Sequence, residues 1–246
     1  MITEIEQDRL LVISDLHLGN PFCKIQNEVK DFCRFAQSGG YSLCINGDGF
    51  DFAQSSSKRL AKQASQMFRE STRLARNGLN VYYVIGNHDI ILEHFYDAWD
   101  DVNVLPFLNV WSGDKLIRIE HGHLYDPVYA NYSTMHEVGT RAFGLILGLW
   151  PEAYRLQMWT ERMLSFLRGD AKHGGIPGEP EEFRQMAASM AQRGFDSIIF
   201  GHTHHAGRID LGSGKEYFNA GSWLIRPDYL EIDSGKISLK TWDHRI

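Results

Sequence analysis

Short apolar runs alternate with amphipathic stretches through the first half of the chain. RLLVIS (9–14), YSLCING (41–47) and NVYYVIGN (80–87) are rich in β-branched, aromatic or leucine residues and end on polar ones. That is the pattern of strands buried on both faces. Between the first two, KIQNEVKDFCRFAQSGG (24–40) sets Ile25, Val29, Phe32 and Ala36 on one helical face and stops on glycines. SSSKRLAKQASQMFRESTRLARNG (55–78) is a second amphipathic helix, with serines at its start and Gly78 at its close. IILEHFYDAW (90–99) reads as a short helix, and LIRIEHGH (116–123) and SIIFGHTH (197–204) as further strands. After residue 205 only strand and turn signals remain, in EYFNAGSWLI, DYLEIDSG and KISLKTW. Alternation followed by a β-rich end predicts an α/β fold of two packed sheets with helices outside.

One region breaks the rhythm. From about 128 to 180 the chain carries AFGLILGLW, Pro151, EAYRLQMWTERMLSFLRG and the loop HGGIPGEP. It reads as a helical insert in a single domain spanning 1–246. Its apolar run, with Met158, Trp159, Met163, Phe166 and the interspersed Arg141, Arg155, Arg162 and Arg168, suits an acyl-chain groove or a membrane surface. Two helices packed on the domain, or a contact between subunits, would use the same residues; the number of subunits stays open.

Composition narrows the function. Of 246 residues, 43% are apolar and 23% charged, enough for a substantial core. A net charge of -6 argues against a grip on nucleic acid, and the basic run Lys58, Arg59, Lys62, Arg69, Arg73 and Arg76 reads as a solvated helix face. Cys23, Cys33 and Cys44 are odd in number and lack CxxC spacing, as expected of reduced packing thiols in the cytoplasm. The start, MITEIEQDRL, has no signal-peptide pattern, and no stretch reaches the ~18 apolar residues of a membrane span. The expected location is therefore cytoplasmic, at the inner membrane face if the insert meets lipid.

The chemistry sits where the apolar runs stop. SDLHLGN carries Asp15 and His17, NGDGFD carries Asp48 and Asp51, GNHD carries Asn87, His88 and Asp89, EHGH carries His121 and His123, and GHTHH carries His202, His204 and His205. Ligands bind at the carboxyl ends of strands in open α/β sheets. Residues at i and i+2 of an extended chain point the same way, so Asp15 with His17 and His202 with His204 can each serve one spot. Gly47, Gly86, Gly122 and Gly201 stand beside them, giving sharp turns and close approach to an ion. Any one cluster is matched by a bland reading as a turn or cap; five at five strand ends are not. Carboxylate, amide and imidazole without thiolate exclude a cysteine-rich zinc site and suit manganese, iron or zinc. Seven good ligands exceed the need of one ion, so two ions sharing a carboxylate are expected.

In their order D-x-H, G-D-x-x-D, G-N-H-D, H-G-H and G-H-x-H, these motifs resemble the calcineurin-like metallophosphoesterase superfamily, from Asp15 to His204. The resemblance implies a four-layer α/β/β/α sandwich of two mixed sheets flanked by helices, with the insert as a cap. It implies one ion on Asp15, His17, Asp48 and His204 and a second on Asp48, Asn87, His121 and His202, with Asp48 as bridge. Manganese is the first expectation, with iron, zinc or magnesium as alternatives. His88 and Asp51 would be the catalytic pair, Asp51 orienting the ring. The implied reaction is in-line attack on phosphorus by a hydroxide held between the ions. His205 is left as a turn or supporting residue. SDLHLGN, HGHLYDP, the closing YFNAGSWL…YLEIDSGKISLKTW and the insert look like the UDP-2,3-diacylglucosamine pyrophosphatase (hydrolase) branch, which implies a lipid-linked sugar nucleotide as substrate. His123 stands where that branch often has Asp, and His88 where some members have Arg. A phosphodiesterase or phosphatase acting on soluble nucleotides is the alternative, and a metal-containing scaffold without catalysis ranks last.

Overall fold

The computed structural model describes residues 4–20, 25–52, 57–95, 101–127, 129 and 176–243. Its strands are β1 (Glu4–Glu6), β2 (Arg9–Ile13), β3 (Ser42–Asn46), β4 (Val81–Val84), β5 (Val102–Leu105), β6 (Leu108–Ser112), β7 (Lys115–Ile119), β8 (Ser197–Phe200), β9 (Gly207–Gly212), β10 (Lys215–Asn219), β11 (Asp228–Asp233) and β12 (Lys236–Thr241). Its α-helices are α1 (Gln26–Gly39), α2 (Ser57–Arg76) and α3 (Glu181–Gln192). The described strands form two mixed sheets, in the orders β12-β11-β2-β3-β4-β5 and β1-β6-β7-β8-β10-β9.

Period-two alternation builds the layers. On β2, Leu11 and Ile13 face α1 and α2, while Leu10 and Val12 face the other sheet. On β3, Leu43 and Ile45 take the helix side and Cys44 the sheet side. On β8, Ile199 enters the layer between the sheets, whereas Ile198 and Phe200 pack with Phe183, Ala187, Met190 and Ala191 of α3. Three apolar layers thus separate helix, sheet, sheet and helix. Strands buried on both faces explain why the sequence runs are apolar throughout rather than alternating. Cys33 and Cys44 are free and fully packed, and burial pushes the Cys33 thiol up to about 12, as suits inert packing groups.

Several local expectations are met and others corrected. α1 closes on Gly40 in the left-handed conformation (φ 68°), its N–H bonded to the Ala36 and Gln37 carbonyls. The segment after Asp89 is helical, a 3-10 helix over Ile90–Phe95, and the remainder of the expected stretch, 96–99, lies outside the described residues. β1, β5, β6 and α3 were not anticipated. β5 and β6 are short and separated by Pro106, and α3 follows directly on the Gly/Pro-rich loop that closes the insert. The helical content of the 128–180 insert falls outside the described residues, apart from 129 and 176–180. No described helix is long and apolar enough to cross a membrane.

The site depends on strand direction. β2, β3 and β4 run parallel, so their carboxyl ends share one rim. β7 and β8 run parallel in the second sheet. Asn46, at the end of β3, donates through Nδ2 to the Glu120 carbonyl just beyond β7 at 3.1 Å, tying the two rims together.

Phe32 is fully buried against the rings of Trp223 and Tyr229, with centroids 5.1 Å away in each case. Phe32→Ala should cost about 3–5 kcal/mol in urea unfolding, because the outer layer cannot close over so large a gap. A loss below about 1 kcal/mol would show that α1 is anchored elsewhere.

Candidate metal centre

Five of the seven expected ligands occupy the left-handed backbone region: Asp15 (φ 54°), His17 (47°), Asp48 (51°), His202 (67°) and His204 (63°). This corrects the extended-chain reading of the D-x-H and H-x-H pairs. The side chains converge because the backbone coils at each strand end, not because strand alternation carries on. Such conformations cost about 1–3 kcal/mol each and persist where the surroundings enforce them. Here the first and second loops keep pairing beyond their strands: Asp15 N–H bonds the Gly47 carbonyl at 3.1 Å, His17 N–H the Asp48 carbonyl at 2.8 Å and Leu18 N–H the Gly49 carbonyl at 2.9 Å.

Gly47 (φ 78°) and Gly122 (φ 94°) make the expected sharp turns, and close packing adds a second reason for glycine. A Cβ on Gly86 would collide with the Asp48 carboxylate and backbone, and one on Gly47 would enter the His121 ring. Both make room for side chains of the candidate ligand set.

The seven side chains come together. His204 Nε2 lies 3.0 Å from Asp15 Oδ1 and 3.4 Å from His17 Nε2, and His17 Nε2 lies 3.8 Å from the same Asp15 oxygen. Across the site, His121 Nε2 is 3.3 Å from Asn87 Oδ1, which is 3.0 Å from His202 Nδ1. Asp48 stands between the two sets. Its Oδ2 is 4.0 Å from His17 Nε2 and 3.3 Å from His121 Nε2, while its Oδ1 accepts the His88 N–H at 2.9 Å. Three groups have ligand atoms within 4.8 Å of one another: Asp15, His17 and His204; His17, Asp48 and His88; and Asp48, His121 and His202. His88 therefore also belongs to a ligand-sized group. Its Nδ1 faces Asp51 Oδ1 at 3.4 Å. Asp51 Oδ2 accepts from Asn20 at 2.9 Å and lies 3.7 Å from His17 Nδ1, so one carboxylate addresses two imidazoles.

The electrostatics follow from packing buried carboxylates against histidines. Burial raises the Asp48 carboxyl, yet the facing rings of His121 and His88 outweigh it and hold the group well below its usual range. Burial likewise opposes the charged form of Asp51, and the neighbouring rings of His17 and His88 override it. His121 is disfavoured as a cation by burial, but Asp48 and Asp15 raise it to about 10. His88 is raised to about 9 by Asp48 and Asp51 against its own burial. Burial lowers His202 and keeps its ring neutral. His123, buried and beside His121, falls to about 3.

Three supporting residues had no role in the sequence reading. Asp126 Oδ2 sits 2.9 Å from His202 Nε2. Asn219 binds the Gly201 carbonyl at 2.9 Å and the Thr203 hydroxyl at 2.9 Å, holding the loop of the two histidines, and Glu179 accepts from Asn219 at 2.7 Å. Asp126 lies five residues beyond His121 in EHGHLYD, a signal too sparse to read alone. Asp89, already singled out in GNHD, also supports the site: its Oδ1 accepts the Gly86 N–H at 2.7 Å, and its Oδ2 faces Tyr83 Oη at 2.5 Å, fixing the third loop. His205 belongs to none of the three groups.

The donors fit divalent cations. Asp15 Oδ1 and His17 Nδ1 are buried and, among the described residues, make ion-pair contacts but no well-formed hydrogen bond. Two imidazole nitrogens face each other beside a carboxylate, and the set mixes oxygen and nitrogen without sulfur, as manganese, iron, zinc or magnesium accept.

Comparison with known proteins agrees with this geometry. The calcineurin-like phosphoesterase family model matches residues 8–206. UDP-2,3-diacylglucosamine hydrolase of Psychromonas ingrahamii is 23% identical over 239 residues, covering 94% of this chain and 96% of its own. The protein of that name from Stenotrophomonas maltophilia is 26% identical over 246 residues, covering 94% and 97%. A dimetal phosphatase from Danio rerio shares the fold with a TM-score of 0.50 at 12% identity, covering 95% of each chain. With its family match, its two-sheet fold and its cluster of candidate metal ligands, the chain belongs to the calcineurin-like phosphoesterase family and is a phosphoester-hydrolysing enzyme.

Proposed function

We propose that the chain is a two-cation hydrolase of a phosphoester or phosphoanhydride bond, with a lipid-linked sugar nucleotide such as UDP-2,3-diacylglucosamine as substrate. The observation that carries the two-cation reading is the placement of Asp48 Oδ2 between His17 Nε2 at 4.0 Å and His121 Nε2 at 3.3 Å. Asp15, His17, Asp48 and His204 would hold one cation, and Asp48, Asn87, His121 and His202 the other, manganese being the first choice. Bound there, two divalent cations lower the pKa of a coordinated water and offset charge on the phosphoryl oxygens.

The chain's own groups supply the rest. His121 donates Nδ1–H to the Asn46 carbonyl at 2.9 Å, which leaves its Nε2 lone pair for coordination beside Asp48. His88, raised to about 9, carries a proton at neutral pH, and its side chain is 14% exposed at the edge of the site. As water adds to phosphorus and the bond to the leaving oxygen breaks, that proton passes to the leaving oxygen. Asp51 holds the ring through Nδ1 and favours its charged form. The lipid part of the reading is supported by relatives that bear that name across most of their length. It is supported also by the exposed apolar side chains Phe52, Ile90 and Ile91 close to His88 in the chain and through the Phe52 N–H bond to its carbonyl. The insert would meet the acyl chains or the inner membrane face, and the cytoplasm would be its compartment.

Asp48→Ala should lose both cations together. His88→Ala should retain them and lower turnover about 100-fold or more. Elemental analysis beside steady-state rates separates the two, and loss of metal from the His88 variant would make that ring a ligand instead.

Cation uptake should release protons and strengthen with pH. His121, raised to about 10, is protonated at pH 7 before a cation arrives and must shed that proton to coordinate. Affinity should then climb by about tenfold per pH unit per proton displaced, flattening only above that pKa. Calorimetric titration with Mn²⁺ from pH 6 to pH 8 measures this, and a flat profile would remove His121 from the ligand set.

For the substrate, the metal-loaded enzyme should release UMP from UDP-2,3-diacylglucosamine far faster than it turns over bis(p-nitrophenyl) phosphate or nucleotides. Equal rates on soluble esters would favour the soluble-nucleotide alternative and leave the metal reading standing.

A further inference from the structure

We infer that Asp126 is a positioning residue that fixes the ring of His202 so that its Nδ1 is the coordinating atom, and that it thereby sets the affinity of only one of the two cations. The inference rests on the two-cation reading above. The two ring nitrogens of His202 have different partners: Nε2 faces Asp126 Oδ2 at 2.9 Å, and Nδ1 faces Asn87 Oδ1 at 3.0 Å, in the group with Asp48 and His121. A carboxylate can only accept here, so Nε2 carries the hydrogen and the Nδ1 lone pair points into the ligand group. The ring is further held by a stacked Phe183, with centroids 6.1 Å apart and planes within 13°.

The other set draws on a different carboxylate: His17 Nδ1 lies 3.7 Å from Asp51 Oδ2. His204 and His17 turn Nε2 towards Asp15. His121 has its tautomer set by a neutral carbonyl, that of Asn46. Asp126 is therefore an anionic support given to one ligand of one cation, which raises the basicity of that imidazole as well as orienting it. Its other oxygen accepts the Tyr129 N–H at 3.4 Å, so the same carboxylate meets the chain where the 128–180 insert begins.

The test is a Mn²⁺ titration of the full-length, chelator-treated protein, with free Mn²⁺ followed by electron paramagnetic resonance. Wild type should show two classes of bound ion. Asp126→Ala should weaken one class 10–100-fold and leave the other within about twofold. Asp126→Asn keeps the shape, removes the charge and should weaken the same class; it also carries the test if the alanine variant does not fold. No loss in either variant, or an equal loss in both classes, overturns the inference. A wild-type protein that takes up one ion refutes the two-cation reading instead. Asp126 is then judged on that ion, and unchanged affinity in both variants overturns its role.

Discussion

Everything at this site depends on keeping Asp48 ionised inside the protein. The side chain is almost fully buried, and Asp15 and Asp51 beside it are fully so. Three carboxylates removed from water repel one another and lose hydration, a cost that only paired positive charge or strong donors can offset. The chain answers with imidazoles: His17, His88, His121 and His204 each lie within 4.0 Å of a carboxylate oxygen. The raised His88 and His121 and the depressed Asp48 are two sides of that one arrangement. A protein that gathers this much negative charge in one place is built to attract cations, and the phosphoester chemistry of the family follows from that attraction.

The strands pre-arrange this charge with little help from the helices. β2, β3 and β4 of one sheet and β7 and β8 of the other end at the site, so residues far apart in sequence meet there. His202 N–H reaches Asp15 Oδ2 at 3.2 Å across 187 positions of chain, and the Ser222 hydroxyl reaches the Asp15 carbonyl at 3.1 Å across 207. Backbone held in the left-handed region at five ligand positions is the local consequence. Strain of that kind is tolerated at functional sites and trades stability for geometry.

How much of this could be read from the sequence depends on how local each signal is. The candidate ligands sit in short motifs next to strong apolar runs, so Asp15, His17, Asp48, Asn87, His121, His202 and His204 could be picked out, as could the strands that carry them. The coiling of the backbone at those residues could not, because the D-x-H and H-x-H spacings fit an extended chain equally well. β5 and β6 were hidden by their brevity and by Pro106 between them. α3 was hidden by its place after the insert, although Phe183, Ala187, Met190 and Ala191 have helical spacing. Asp126, Asn219 and Glu179 act through three-dimensional contacts, and although HGHLYDP and YFNAGSWL contain the first two, single polar residues carry no periodicity to betray their partners.

The bond from Asn46 Nδ2 to the Glu120 carbonyl has a wider meaning. Asp15, His17, Asp48 and Asn87 follow strands of one sheet, and His121, His202 and His204 follow strands of the other. The distance between the two half-sets is therefore set by how far apart the sheets lie, and so by the thickness of the layer filled by Leu10, Val12, Val84, Ile119, Ile199 and Phe218. The oily middle of the molecule works as a caliper: its side-chain volumes decide how far apart the two half-sets of candidate ligands stand.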